Sequence, residues 1–266
     1  MNESLFVKKT LEFSKNYHGP FIKKIYVFDD LASTNHTAKE LALQGAEEGT
    51  AVIAQTQSKG RGRFDRVWQS PKGGVYLSLL LQPKTPVEKT SLLTFVAALA
   101  VMQSVRSYSV PARIKWPNDV HVNGKKIAGI LLESERSGVT ISYVVVGIGV
   151  NLNTTLSQLS TDIRKLSTSL SKEHGSSIEY YKFLNTFFLQ FDRYYHLFLA
   201  SSFEEIIEEW KQHSDTLGKS IRVETTSGTI QGTAVDVDKS GFLLVKTREG
   251  KTIRVTSGDC TIIDES

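Results

Sequence analysis

The chain has 266 residues, 40% of them hydrophobic and 23% charged, an ordinary globular composition that excludes disordered or collagen-like chains and suffices for one large domain and a small one. With 32 Lys and Arg against 28 Asp and Glu, the net charge is only +4, too slight an imbalance for a nucleic-acid-binding stripe. The single cysteine, Cys260, rules out an intrachain disulfide and a cysteine-rich zinc site, and no apolar run reaches bilayer-spanning length, so a soluble cytoplasmic protein is expected.

From Met1 to Lys24 the pattern is irregular and aromatic with a Gly19-Pro20 breaker, which reads as a short N-terminal appendage. Ile25 to Phe28 alternates as a strand. Ser33-Thr34-Asn35 then leads into a helix carrying Ala38, Leu41 and Ala42 and ended by Gly45. Ser33 or Thr34 suits a helix N-cap, and the same hydroxyls at a helix start suit a small polar ligand. Thr50 to Gln55 and Gly74 to Leu81 read as strands. Between them lies a basic loop, Ser58-Lys59-Gly60-Arg61-Gly62-Arg63-Phe64-Asp65-Arg66-Val67-Trp68. Glycine lets backbone approach an anion closely and arginine adds forked, permanently charged donors, which points to phosphate or carboxylate chemistry. Taken alone, it reads more simply as a basic surface loop.

Glu88 to Tyr108 has the composition of a long helix, apolar nearly all round its middle and so buried on most sides. Ala112 to Trp116 is a short strand stopped by Pro117. A hairpin follows, Asp119 to Val122 and Lys125 to Leu132, joined by Asn123-Gly124. Lys115-Trp116-Pro117-Asn118-Asp119 sets a cation, an amide and a carboxylate at a strand end, fit to bind phosphate, hold a metal or orient an amine, or merely to form a turn beside a snorkelling lysine. Lys126 opens an apolar strand whose Ala128 and Gly129 leave room for a ligand, although an edge lysine that blocks aggregation is the plainer reading.

Val139 to Ile148 is a further strand, ending in Gly147-Ile148-Gly149-Val150-Asn151, which lacks the third glycine and the following helix of a dinucleotide fingerprint. Asn153 to Ser177 is polar and serine-rich, a surface excursion with room for one short helix. Ile178 to Leu199 and Ser201 to His213 read as helices, the first with an aromatic packing face. At Leu217-Gly218 the periodicity changes to short strands at 220–225, 228–236, 241–247 and 251–256, which suggests a small barrel. The sequence carries no phosphate-binding P-loop motif, zinc-ligand spacing or nucleophile elbow.

Taken together and in order, Ser33-Thr34-Asn35, Gln57 to Arg63 with Trp68, Gly73 to Ser78, Lys115 to Asp119, Lys126 to Glu133 and Gly147 to Asn151 resemble biotin protein ligase. Asp65 departs from the pattern, where many members have glycine. The resemblance implies an α+β fold: an appendage over 1–24, a catalytic domain over 25–217 similar to class II aminoacyl-tRNA synthetases, and a C-terminal SH3-like β-barrel over 218–266. It further implies the form without an N-terminal DNA-binding domain. The implied reaction is ATP-dependent attachment of biotin, through biotinyl-5′-AMP, to a lysine of a biotin carboxyl carrier domain, with Mg²⁺ on the ATP. Neither DNA nor membrane is an implied partner, and a homodimer stays open.

By the same resemblance Ser33, Thr34, Asn35, Gln57, Gly60, Arg61, Gly62, Arg63, Lys126 and Gly129 meet biotin. Arg61, Arg63, Trp68, Lys115, Asn118, Lys126 and Asn151 meet ATP. The chemistry falls to Arg63, Lys126, Lys115 and Asp119, the last orienting the acceptor lysine, and no metal ligand is assigned. The nearest rival, a lipoate or octanoate ligase, would carry an Arg-Arg-x-Ser-Gly-Gly-Gly type of segment, which is absent here. A nucleic-acid-binding protein would need basic residues interleaved with aromatics on the C-terminal strands, where Phe242 is the sole aromatic after Ser220.

Overall fold

Residues 20–137 and 140–263 are described by the computed structural model. Most of the expected appendage, Val139 and residues 264–266 lie outside the described residues.

Seven strands make the larger sheet: β1 (Lys24–Leu31), β2 (Thr50–Gln57), β3 (Val75–Leu81), β4 (Ala112–Lys115), β5 (Asp119–Val122), β6 (Lys125–Ser137) and β7 (Thr140–Val150). Their order is β1-β2-β3-β7-β6-β5-β4. Only β1 and β2 run parallel, a pairing that needs a crossover, and helix α1 (Thr34–Leu43) supplies it. β3 sits mid-sheet with every residue buried, as its unbroken apolar run requires.

One face of this sheet carries the main core. Helix α2 (Leu93–Arg106) is buried nearly all round, and the predicted long helix begins instead with a 3-10 segment at Val87–Leu92. Two short helices, α3 (Thr161–Leu166) and α4 (Leu170–His174), occupy the serine-rich stretch. Helix α5 (Tyr180–Leu199) buries Phe183, Phe187, Phe191, Tyr194 and Phe198, and α6 (Phe203–Gln212) stacks Trp210 on Phe95 at 4.3 Å between ring centroids.

The serine-rich stretch is not the surface excursion that its polarity suggests. Ser167, Thr168 and Ser169 are buried. The Thr168 amide donates to the Lys126 carbonyl, and the Leu170 amide to the Asn151 carbonyl. Backbone bonds to the sheet thus hold side chains that carry no apolar signal.

The opposite face is covered only in part. Ala38 of α1 packs with Val52, Leu80, Tyr143 and Val145. Successive residues of a strand point to opposite faces, so Gly147 and Gly149 continue the row of Tyr143 and Val145 without side chains. Their neighbours in register are Ser78 and Tyr76 on β3 and Leu131 and Gly129 on β6. The glycine half of this face, against which the Trp68 indole and the Asn35 side chain lie, borders a cavity.

Five further strands form an antiparallel sheet in the order β11-β10-β9-β8-β12: β8 (Ser220–Thr225), β9 (Gly228–Val237), β10 (Leu243–Lys246), β11 (Thr252–Val255) and β12 (Asp259–Ile262). The last was not anticipated, and it pairs with β8. Ile221, Val223, Ala234 and Leu243 join the main core.

Candidate active site

The cavity encloses about 1000 Å³ and has a polar end and a cationic end. Its floor is glycine because nothing larger fits. A Cβ at Gly149 would lie 2.5 Å from the Trp68 indole, and one at Gly147 would lie 2.2 Å from Asn35 Oδ1.

At the polar end, Ser33 stands at the N-cap position of α1 but makes no capping side-chain bond. The cap reading is therefore replaced by a cross-sheet network. The Thr34 amide donates to Gln57 Oε1 at 2.8 Å, and Gln57 Nε2 donates to Ser70 Oγ at 2.9 Å. Ser78 Oγ lies 2.8 Å from Thr34 Oγ1 and 2.6 Å from Asn35 Oδ1. Asn35 Nδ2 donates to Glu133 Oε2 at 2.7 Å, and Arg61 reaches the other carboxylate oxygen at 2.8 Å beside Lys39. Burial alone would raise the Glu133 carboxyl, but the Lys39 and Asn35 bonds outweigh it and hold it below its ordinary value. A partnered buried network of this kind fixes the orientation of the Asn35 amide.

At the cationic end, Lys126 Nζ lies 2.6 Å from Asp119 Oδ1 and 5.2 Å from the centre of the Trp68 ring. Burial would push the Asp119 carboxyl up, yet Lys126 and His121 overcome it and keep it well below the usual carboxylate range. Arg63 donates to Asn118 Oδ1 and Gly258 O, each at 3.2 Å, and to Ser257 Oγ at 2.9 Å. Arg66 pairs with Asp259 at 2.6 Å. Asn118 is held in turn by its bond to the Ile130 carbonyl. Cys260 also lines the cavity, but burial pushes its thiol up to about 11, which leaves it a poor nucleophile.

Ser33, Thr34, Asn35 and Gln57 line this cavity together with Arg61, Gly62, Arg63 and Trp68. Lys115, Asn118, Asp119, Lys126, Gly129 and Asn151 complete the set of anticipated wall residues. Gly60 lies off the wall, where a Cβ would meet the Trp68 carbonyl at 2.4 Å, so its role is close backbone approach. Asp65 takes a left-handed conformation, φ 56°, which aspartate tolerates better than most residues, so a glycine is dispensable at that point. Sequence reasoning missed Arg66, His121, Glu133 and Asp259. Arg66 had a signal in its spacing from Arg63, whereas Asp259 had none.

Residues 27–151 match the biotin/lipoate A/B protein ligase family, and residues 216–262 match the biotin protein ligase C-terminal domain. A biotin–[acetyl-CoA-carboxylase] ligase of Paracoccus denitrificans is 34% identical over 225 residues, 83% of this chain and 93% of that protein. The chain belongs to the biotin protein ligase family. The bifunctional ligase/repressor BirA of Bacillus subtilis is 39% identical over 84% of this chain and 69% of its own length. The solved biotin protein ligase from Aquifex aeolicus in complex with biotin and ATP superposes with a TM-score of 0.79 at 29% identity, covering 91% of this chain and 100% of that one. Among the described residues of this biotin protein ligase family member, no three His, Cys, Asp or Glu side chains gather as a metal cage, and no helix is long and apolar enough to cross a membrane.

Proposed function

We propose that this chain condenses biotin with ATP to give biotinyl-5′-AMP and pyrophosphate, then transfers the biotinyl group to a lysine of a biotin carboxyl carrier domain. The observation that carries the reading is a single cavity with a polar hydrogen-bonding end, a glycine floor and a cationic end. A bicyclic acid with a polar ureido ring fits that sequence of surfaces. Ser33, Thr34, Asn35 and Gln57 address the ureido group, and the ring packs against the Trp68 indole, which itself lies on Gly149 and Gly129.

The first step brings a carboxylate oxygen to the α-phosphorus of ATP. Two anions meet, so fixed positive charge must already be in place. Lys126, released from Asp119, touches the carboxylate and α-phosphate oxygens, while Arg63 and Lys115 add charge around the phosphates, joined by Arg61 once it leaves Glu133, and Asn118 and Asn151 bond the nucleotide. Magnesium enters as part of the MgATP substrate. A P–O bond forms to the acid oxygen and pyrophosphate leaves.

The second step is acyl transfer. The loop from Gly60 to Trp68 keeps water from the mixed anhydride, which would otherwise hydrolyse. Asp119 orients the acceptor ammonium. Residues 25–217 and 218–266 form the catalytic and C-terminal units in this reading, and the cytoplasm is the compartment.

The test is incubation with ATP, Mg²⁺ and either biotin or lipoate, followed for pyrophosphate and for mass added to a carrier domain. Biotin should support both signals and lipoate neither. Turnover with lipoate alone would overturn the choice of acid.

A further inference from the structure

Two residues apart on β5, Asp119 and His121 share the cavity face, while Val120 between them is buried in the core. His121 is only 9% exposed. Its Nε2 is 3.9 Å from Asp119 Oδ2 and has no hydrogen-bond partner among the described residues. An apolar side chain would fill the same place without leaving a buried polar atom unpaired, so the imidazole calls for a chemical reason.

Charged groups face the ring from both neighbouring strands. Across β4, Arg113 is in register with His121 and Lys115 with Asp119; across β6, Lys126 is in register with His121. Asp215, 3.9 Å from Arg113, and Lys219, which pairs with it, stand behind β4. Among the described residues, Asp119 is the carboxylate paired with the imidazole, at 3.9 Å.

We propose that His121 takes up, by way of Asp119, the proton that the acceptor lysine must shed before it attacks the acyl-adenylate. Lys126 holds Asp119 at 2.6 Å until it turns to the acid and phosphate oxygens. Asp119 then loses its cation and becomes a better proton acceptor just when an ammonium has to be deprotonated. A carboxylate alone is a weak base near neutrality, whereas an imidazole gains and loses a proton there.

The step balances. One ammonium proton passes to Asp119 Oδ2 and on to His121 Nε2. The freed lone pair forms the C–N bond at the acyl carbon. The C–O bond to the AMP phosphate breaks with its electron pair leaving on AMP, and the second nitrogen proton goes to the AMP phosphate or solvent. The imidazolium then discharges to solvent through the cavity. His121 acts through Asp119 and so positions and receives the proton rather than touching the reacting atoms.

The inference rests on the two-step reading, which biotin-dependent exchange between pyrophosphate and ATP by the wild-type chain tests separately. Single-turnover transfer from preformed biotinyl-5′-AMP to a carrier domain is to be followed from about pH 5.5 to about pH 9 for the wild type, H121Q and the space-filling H121F. The wild-type rate should rise with pH and level off near neutrality. Both variants should transfer on the order of 100-fold more slowly at neutral pH, keep rising without levelling, and lose far less in exchange than in transfer. Retained exchange also reports an intact fold, and if H121Q does not fold, H121F carries the test. A variant profile of wild-type shape, or equal losses in exchange and transfer, overturns the role of His121. Absence of exchange in the wild type overturns the two-step reading instead.

Discussion

Asp119 is a carboxylate taken largely out of water and kept charged by Lys126, so neither residue can be changed without stranding the other. Its carboxyl is depressed below the ordinary value of 3.8, which fixes the sign of the pH dependence. The pair's stabilisation is complete above that ordinary value and is lost as pH falls through the depressed one. Lys126→Met should therefore destabilise the fold by about 1–3 kcal/mol, discounted for the partial exposure of both side chains. It should also abolish biotin-dependent pyrophosphate exchange. In thermal unfolding followed from neutral to acid pH, wild type should lose more stability below about pH 4 than Asp119→Asn does, because the asparagine has no proton to take up. Equal acid sensitivity in the two proteins would show that the pair contributes nothing. The residue types at this point were legible, because a lone lysine at the head of an apolar strand and a carboxylate after a Trp-Pro-Asn turn both break a core pattern. That they meet was not legible from strand pairing alone, since Lys126 is in register with His121 and Asp119, across a β-bulge, with Gly129, so the ion pair forms on the diagonal.

At the scale of elements, the basic loop is fastened to the turn between β11 and β12. Arg63 donates to Ser257 and Gly258, and Arg66 pairs with Asp259. Side chains of the Arg66 pair are 63% and 42% exposed, so its contribution to global stability is at most about 1 kcal/mol and falls with salt. What it does is tie the loop to β12. Asp259→Asn should leave the melting temperature nearly unchanged while preformed biotinyl-5′-AMP dissociates several-fold faster at low salt, an effect that added salt erodes. Stopped-flow release of the adenylate measures this, and an unchanged rate would detach the C-terminal strands from loop closure. Elements announced by strong local signals were readable: the Asn123-Gly124 hairpin takes the paired positive φ values that such a turn demands, 50° and 74°. Ser167 to Ser169 and β12 were misread or missed because backbone bonds to distant strands hold them, and single-sequence periodicity records side chains only.

For the whole molecule, the break in periodicity at Leu217-Gly218 lies between helix α6 and β8, and the two sheets close a common core. Trp116 Nε1 donates to the Gly241 carbonyl at 3.1 Å, and the Trp116 amide donates to Thr216 Oγ1 at 2.9 Å. Gly241 sits at φ 78° against Leu92 and Phe95, and Phe95 is the ring on which Trp210 stacks. Such a junction is invisible in sequence, since Trp116 and Gly241 each look like local punctuation. Gly241→Ala would set a Cβ 3.1 Å from both Leu92 and Phe95 in a backbone region that side chains disfavour. The expected cost is about 1–3 kcal/mol, shared by both sheets because their core is continuous. Melting followed by near-ultraviolet and far-ultraviolet circular dichroism should thus remain one coincident transition, shifted down by a few degrees. Separate transitions in the variant, with the seven-stranded part melting at the wild-type temperature, would show that the sheets fold independently and that the loop is clasped by a body able to let go of it.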